Sequence, residues 1–141
     1  MVDRYADRFG AALAAVTADA GQPAMAMLDH YLEPYRAFAG TADMVCLCGA
    51  LAGEMPSLPA PMRARVAQFF VEHQSWLTAT LERGRRGGEF VLADDARRVA
   101  RLVFAALQGA LLVKRTTGDS AQLDDVIAAL KHELTDGAVG D

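Results

Sequence analysis

One long segment, residues 95–117, limits what this chain can fold into. Its apolar residues recur with helical spacing, and the segment is rich in alanine and leucine. Its polar side chains fall mainly on one narrow line of the helix, at Arg97, Arg101, Gln108 and Arg115. A helix that is apolar around most of its circumference must be covered on more than one side. The segment therefore predicts a helix that is packed between other helices, including helices of a second copy.

The remaining apolar residues predict five more helices and no strand, because alternating runs of β-branched residues are missing. Pro34 lies inside the second predicted helix, so we expect a kink at 31–34. Asp94 is expected to cap the fifth helix, and Asp119 with Gln122 has capping-box spacing before the sixth. The fold class is therefore all-α, and the six predicted helices cover about 2–19, 23–39, 42–55, 59–83, 95–117 and 119 onward.

Composition indicates one folded domain over residues 1–141. The 141 residues are 52% hydrophobic and 23% charged, enough for a core without disulfides or a metal. No apolar run is long enough to cross a bilayer, and the N-terminus lacks a signal-peptide core, so we expect a cytoplasmic protein with no membrane partner. The net charge of −4 gives no basic footprint, which argues against these residues binding nucleic acid themselves.

Residue types for catalysis or metal binding are present but scattered. His30, His73 and His132 are far apart, and none belongs to an HExxH motif. The chain also has no Gly-x-Ser-x-Gly motif and no glycine-rich phosphate loop that follows a strand. We therefore expect no enzyme activity, no metal and no cofactor, and a function of binding and pairing.

The order of several short motifs resembles the C-terminal ligand-binding and dimerisation domain of TetR-family transcriptional regulators. Together the motifs extend over most of the chain. In chain order they are CLCGALAGE at 46–54, LERG at 81–84, GEF at 88–90, DDA at 94–96 and ALQGALL at 106–112.

The resemblance implies a six-helix orthogonal bundle whose last two helices form a dimeric four-helix bundle with a second copy. It also implies a small hydrophobic or electrophilic effector that controls DNA binding. Regulators of this family begin with a helix-turn-helix of three helices, whereas this sequence opens at what resembles the fourth. We therefore expect DNA contact only through an N-terminal domain that these residues do not include, whether the truncation is natural or engineered. The first helix would be the lever to that domain.

The resemblance places a ligand cavity among the first four predicted helices, with help from the fifth. His73 would hydrogen-bond a ligand and Trp76 would supply an aromatic wall. The predicted ligand-binding residues are Tyr31, Tyr35, Cys46, His73, Trp76 and Phe104. Ordinary core packing explains each of these six residues equally well when it is taken singly. The predicted dimer interface consists of Phe104, Leu107, Leu111, Leu123, Ile127, Leu130 and Leu134.

The two cysteines, Cys46 and Cys48, lie two apart in a helical pattern, so they point to nearly opposite sides and do not pair with each other. Cys46 lies near its helix start, where the dipole favours a thiolate. In the branch of the family that the motif resembles, the matching cysteine reacts with electrophiles or oxidants. The alternative is that both are small buried hydrophobes. We expect Cys46 to be the more reactive thiol.

Two other functions stay open from the sequence. One is a stand-alone helical dimer that acts as a binding or scaffold module without a regulator role. The other is a helical enzyme whose catalytic cluster forms only in space. Arg97, Arg98 and Arg101 are interpreted as a solvated edge near a helix N-terminus, too few for a nucleic-acid site.

Overall fold

A computed structural model of the chain consists of packed helices. The structure describes residues 7, 10, 11, 13–15, 17, 21–39 and 55–136. Its α-helices are α1 (Ala24–Ala39), α2 (Ala60–Arg86), α3 (Ala96–Thr117) and α4 (Gln122–Thr135), and a 3-10 turn at Met55–Ser57 precedes α2. The described residues between 7 and 17, here called the N-terminal segment, are also helical. No strand occurs in these described ranges, which confirms the all-α prediction.

Helices α1 to α4 correspond to the second, fourth, fifth and sixth helices expected from the sequence. The α1 helix includes Pro34 without a break. The α2 helix extends to Arg86, one turn beyond the predicted end at Arg83. Most of the predicted third helix, 42–55, lies outside the described residues, as does the tail at 137–141.

The ends of α3 follow from two local capping interactions. The Asp95 carboxylate accepts a hydrogen bond from the backbone N–H of Arg98 at 2.9 Å, so Asp95 is the N-cap rather than Asp94. Asp94 instead accepts from the Asp95 N–H at 2.7 Å, which shapes the turn before the helix. Gly118 ends α3 in the left-handed region, with φ of 74°, as expected for a glycine at that position.

The core forms where α1 crosses the α2–α3 helical hairpin and α4 packs on α3. The most extensive contact is between α2 and α3, and the next is between α3 and α4. Buried side chains of all four helices belong to one hydrophobic cluster. Burial of this apolar surface supplies the main favourable free energy of folding. Its largest fully buried members include Tyr31, Tyr35, Phe69, Leu77, Leu81, Leu107 and Leu111.

The connection between α2 and α3, residues 87–95, holds the start of α1 in place. The Glu89 carboxylate accepts hydrogen bonds from two backbone N–H groups in the first turn of α1, Ala24 at 2.8 Å and Met25 at 3.2 Å. Helix α1 has no acidic residue of its own in that turn. Glu89 therefore supplies both the missing acceptors and the negative charge that the helix dipole favours.

The same connection is tied to α2 and α4. The Phe90 ring is buried against Gly84, where an added Cβ atom would lie 2.1 Å from the ring. This close approach explains why a glycine is needed at this position, in the last turn of an otherwise regular helix. The backbone N–H of Val91 donates to the Leu134 carbonyl in α4 at 2.7 Å. Residues 87–95 therefore fix the relative positions of three helices.

Replacement of Glu89 by alanine should destabilise the protein by about 1–2 kcal/mol, since the α1 terminus loses two charge-assisted acceptors. Urea denaturation followed by circular dichroism measures this change. The matched control is Glu133→Ala, an exposed glutamate on α4, which should change the free energy of unfolding by less than about 0.5 kcal/mol. Equal losses in the two variants would contradict the capping role.

Candidate functional site

A cavity lies between the N-terminal segment and α2. Its volume is about 230 Å³, and its surface is almost entirely apolar. Its polar groups come from α2, because the N-terminal segment contributes only small or aliphatic side chains. Apolar walls with few polar groups are typical of small-molecule sites. The residues that line it are Gly10, Leu13, Ala14, Phe69, Glu72, His73 and Trp76.

A chain of polar side chains, of which all but the last are buried, leads away from this cavity. His73 Nδ1 is 2.9 Å from the Tyr31 hydroxyl, which is 3.1 Å from the Tyr35 hydroxyl. The Gln108 side-chain amide of α3 donates to the Tyr35 hydroxyl at 3.1 Å. The chain therefore joins a cavity residue on α2, through α1, to the middle of α3.

Aromatic rings pack around the same histidine. The Trp76 ring stacks on Tyr31, with centroids 5.3 Å apart and an interplanar angle of 18°. The ring centroids of Phe69 and His73 are 4.0 Å apart, and the Phe104 ring packs edge-on against His73 with centroids 5.8 Å apart. These rings exclude water from His73, which is only 3% exposed. Burial lowers the pKa of His73 from 6.5 to about 4, so the imidazole is neutral near pH 7.

The N-terminal segment is attached to α2 at both ends of the cavity. The Trp76 indole N–H donates to the Thr17 hydroxyl at 2.8 Å, and Thr17 in turn donates to the Leu13 carbonyl at 2.8 Å. Arg65 forms an ion pair with Asp7 at 3.1 Å, on the exposed side of the segment. A molecule that enters the cavity would therefore contact a helix that is held by a few polar bonds.

The structure brings together five of the six predicted ligand-binding residues, while Cys46 lies outside the described residues. Only His73 and Trp76 line the cavity. Tyr31, Tyr35 and Phe104 lie behind them as the second layer of the cluster. Whether these residues bind a ligand stays a prediction.

Sequence reasoning missed several residues of this site. Gln108 lies on the polar line of an otherwise apolar helix, and this is the signal in the sequence for a hydrogen bond to a neighbouring helix. Phe69 falls at an apolar position of its helix, and that pattern does not distinguish a residue that lines a cavity from one in the core. Leu13 and Ala14 carry no sequence signal, because a small or aliphatic residue lining a cavity resembles any other core position.

The predicted dimer-interface residues do not lie on a free surface. Six of the seven are buried within a single chain, and Leu130 is partly buried against the same core. A partner that docks on this chain would first meet other side chains, and whether the predicted residues contact a second copy stays a prediction. Contacts with the other helices of the chain already cover Phe104, Leu107, Leu111, Leu123, Ile127 and Leu134.

The opposite side of α3 is apolar and exposed. Leu102 is 62% exposed, Leu112 49% and Val113 42%. Ala105 and Gly109 lie between them at helical spacing, so small residues separate the larger apolar side chains on this outward face. Contiguous exposed apolar surface of this kind is typical of an interface with another protein.

Other classes of site find no support in the described part of the chain. It contains no group of three or more side chains arranged to hold a metal ion. None of its helices combines the length and the apolar character that a transmembrane span requires.

Comparisons with known proteins agree on one family. The family model described as Tetracyclin repressor-like, C-terminal domain, matches residues 24–130. A crystal structure of a TetR-family transcriptional regulator from Agrobacterium tumefaciens is 30% identical, with a TM-score of 0.86, and the match covers 95% of this chain and 70% of that one. No curated protein sequence matches.

Two more distant solved structures share the fold. The regulatory protein TetR from Rhodobacter sphaeroides is 19% identical with a TM-score of 0.81, over 95% of this chain and 72% of that one. The reduced form of E. coli NemR is 20% identical with a TM-score of 0.75, over 95% and 72% of the two chains.

The buried neutral His73 should make stability fall at mildly acidic pH. Its pKa is about 4 in the folded chain and 6.5 when unfolded, so the unfolded state binds the proton first as pH falls through this window. Between pH 7 and 5 this linkage should cost about 2 kcal/mol. Urea denaturation at both pH values should show that loss in the wild type and not in His73→Gln.

The Gln side chain keeps an acceptor for the Tyr31 hydroxyl, so the variant tests the titration rather than the hydrogen bond. His132→Gln is the control, since that histidine is exposed on α4. An unchanged pH dependence in His73→Gln would contradict the neutral buried state.

Proposed function

Since this chain belongs to the TetR family through its C-terminal domain, we propose that residues 1–141 form the effector-sensing and dimerisation domain of a transcriptional regulator. The family consists of DNA-binding regulators and not of enzymes. The observation that carries the sensing role is the apolar cavity, whose lining includes a buried, uncharged His73 beside Glu72 and Trp76.

The effector that best fits the cavity is a small hydrophobic molecule with one or two polar atoms. The volume of about 230 Å³ suits a molecule with one or two rings. Trp76 and Phe69 offer aromatic surface, and a neutral imidazole offers a hydrogen bond without a charge. An anionic effector would lose its hydration against these walls and would meet the Glu72 carboxylate instead of a cation.

Binding at this cavity would act on the helices that carry the signal. The N-terminal segment forms one wall, and it is the element that would lead towards a DNA-reading domain. The other wall is α2, whose His73 is linked by hydrogen bonds to α3. An effector that prefers one arrangement of the segment would shift the population of the regulator towards that arrangement. In this proposal the operator is read by a separate N-terminal domain, in the cytoplasm, and not by these residues.

Dimerisation is proposed through the outward face of α3, together with the exposed side of α4. The face carries Leu102, Ala105, Gly109 and Leu112, which leave large apolar area in contact with water in a single chain. The α4 side adds small residues at Ala128 and Ala129. Two helices from each copy would form a four-helix bundle. We expect this pairing to bury about 1,200–2,000 Å² in total.

An electrophile- or redox-sensing role for Cys46 is a second candidate. One observation favours it, because a solved structure with the same fold is described as the reduced form of its protein. The motif around Cys46 places the thiol early in a predicted helix, where a thiolate is stabilised. Labelling of the folded protein with limiting N-ethylmaleimide should modify Cys46 before Cys48. Preferential modification of Cys48, or no modification before unfolding, would contradict the role.

A neutral aromatic probe should bind in the cavity and change the emission of Trp76, the only tryptophan in the sequence. With 1-naphthol we expect saturable binding by calorimetry and a concurrent change in tryptophan fluorescence. Ala14→Phe fills the cavity and should weaken binding at least about tenfold, which corresponds to the loss of about 1.4 kcal/mol. Ala15→Phe is the matched control, because Ala15 is exposed on the same segment and does not line the cavity. Equal effects of the two substitutions would contradict this site.

The dimer should dissociate when charge is placed on the outward face of α3. Leu102→Glu and Leu112→Glu should each give a folded monomer by sedimentation velocity, since the carboxylate would be buried without a partner. Val91→Glu is the control, because Val91 is an exposed apolar residue in the connection before α3. A monomeric wild-type protein at micromolar concentration would refute the pairing.

A further inference from the structure

A second concave site lies on the other side of α2. This groove has a volume of about 300 Å³ and runs between α2 and the first turns of α3. The groove residues of α2 and its cavity residues differ in helical phase by about half a turn, so the two sites lie on opposite faces of α2 and share no residue. The groove is lined by Val71, Gln74, Ser75, Thr78, Arg97 and Arg101.

The charge in this groove is unbalanced. Arg97 and Arg101 are one turn apart on α3, and no carboxylate lines the groove with them. Like charges at this spacing repel each other, and Arg97 also lies in the first turn, where the helix dipole disfavours a cation. The groove therefore holds two positive charges in a chain whose net charge is −4.

Some other arginines of the described chain are paired, whereas Arg36, Arg86 and Arg115 form no ion pair with the described residues either. Arg65, Arg85 and Arg98 each form an ion pair with a carboxylate. Within the described ranges, the side chains of Arg97 and Arg101 form no ion pair or hydrogen bond.

The opposite wall of the groove adds hydrogen-bond donors and an apolar surface. The Gln74 amide and the Ser75 hydroxyl make no side-chain hydrogen bond to the described residues. Val71, one turn before Ser75, is 61% exposed. Guanidinium groups bind carboxylate and phosphate oxygens with two parallel hydrogen bonds, and neutral donors beside them complete the shell of an oxyanion.

We propose that this groove binds a small organic anion, with its carboxylate or phosphate on Arg97 and Arg101 and its apolar part against Val71. The site is separate from the effector cavity and does not depend on the function proposed for it. A second copy of the chain is a poorer occupant, because the groove does not include Leu102 or Leu112 of the exposed α3 face. Nucleic acid is also disfavoured by the acidic balance of the chain.

Calorimetric titration of the full chain at low ionic strength tests the proposal with benzoate, acetate and inorganic phosphate as probes. We expect saturable binding of benzoate that is about tenfold weaker in Arg97→Gln and in Arg101→Gln. Arg115→Gln is the matched control, an exposed arginine on the same helix outside the groove, and should bind as the wild type does. Val71→Ala should weaken benzoate and leave acetate unchanged.

The probes also separate the two kinds of anion. Phosphate binding tighter than benzoate would assign the groove to phosphorylated molecules, and the reverse would assign it to carboxylates with an apolar body.

Absence of saturable binding for all three probes would overturn the proposal, as would an equal loss in Arg115→Gln. If Arg101→Gln leaves anion binding unchanged and only weakens the dimer in sedimentation velocity, the groove is a contact with a second copy of the chain instead. Unchanged 1-naphthol binding in Arg101→Gln would show that the effector cavity remains intact.

Discussion

The carboxylate of Glu89 at the first turn of α1 is the contact on which the rest of this arrangement depends. A helix begins with backbone N–H groups that lack partners inside the helix, and α1 has no acidic residue of its own near them. Glu89 reaches these groups from 65 positions away in the sequence. The next residue, Phe90, packs against Gly84, so the backbone that carries the carboxylate is held against α2. The position of α1 over the hairpin is therefore set at one short connection.

That position brings two tyrosines of α1 over His73. Burial of a hydroxyl or an imidazole is unfavourable unless each polar atom is hydrogen-bonded. Among the described side chains, no fully buried nitrogen or oxygen lacks a partner. The chain from His73 through Tyr31 and Tyr35 to Gln108 meets this requirement only when α1, α2 and α3 are all in place. These polar contacts therefore favour one register of the three helices, which apolar packing alone would specify less sharply.

Helix α3 divides its circumference between two roles. Its buried side, with Leu107 and Leu111, completes the core of a single chain. Its outward side exposes Leu102 and Leu112, and this division explains why the whole helix is so apolar. Gln108 lies between these two sides and hydrogen-bonds to α1. A change at His73 would therefore reach the helix proposed to mediate pairing through a short series of direct contacts.

Sequence alone determined the helical fold class and most of the helix bounds, because apolar spacing and capping residues are local signals. The end of α3 at Gly118 and the grouping of Tyr31, Tyr35, His73, Trp76 and Phe104 could be predicted in this way or from the family motifs. The side of α3 that is buried could not, since a helix that is apolar all round does not reveal which side its own chain covers.

Tertiary structure also decided which aromatic residues line the cavity and which lie behind them. It placed Arg97 and Arg101 beside Gln74 and Ser75, more than 20 positions away in the sequence. Such placements depend on how the helices cross, and crossing is fixed by contacts such as that of Glu89 with α1. A contact between residues so distant in sequence leaves no local periodicity, so only the folded chain reveals it.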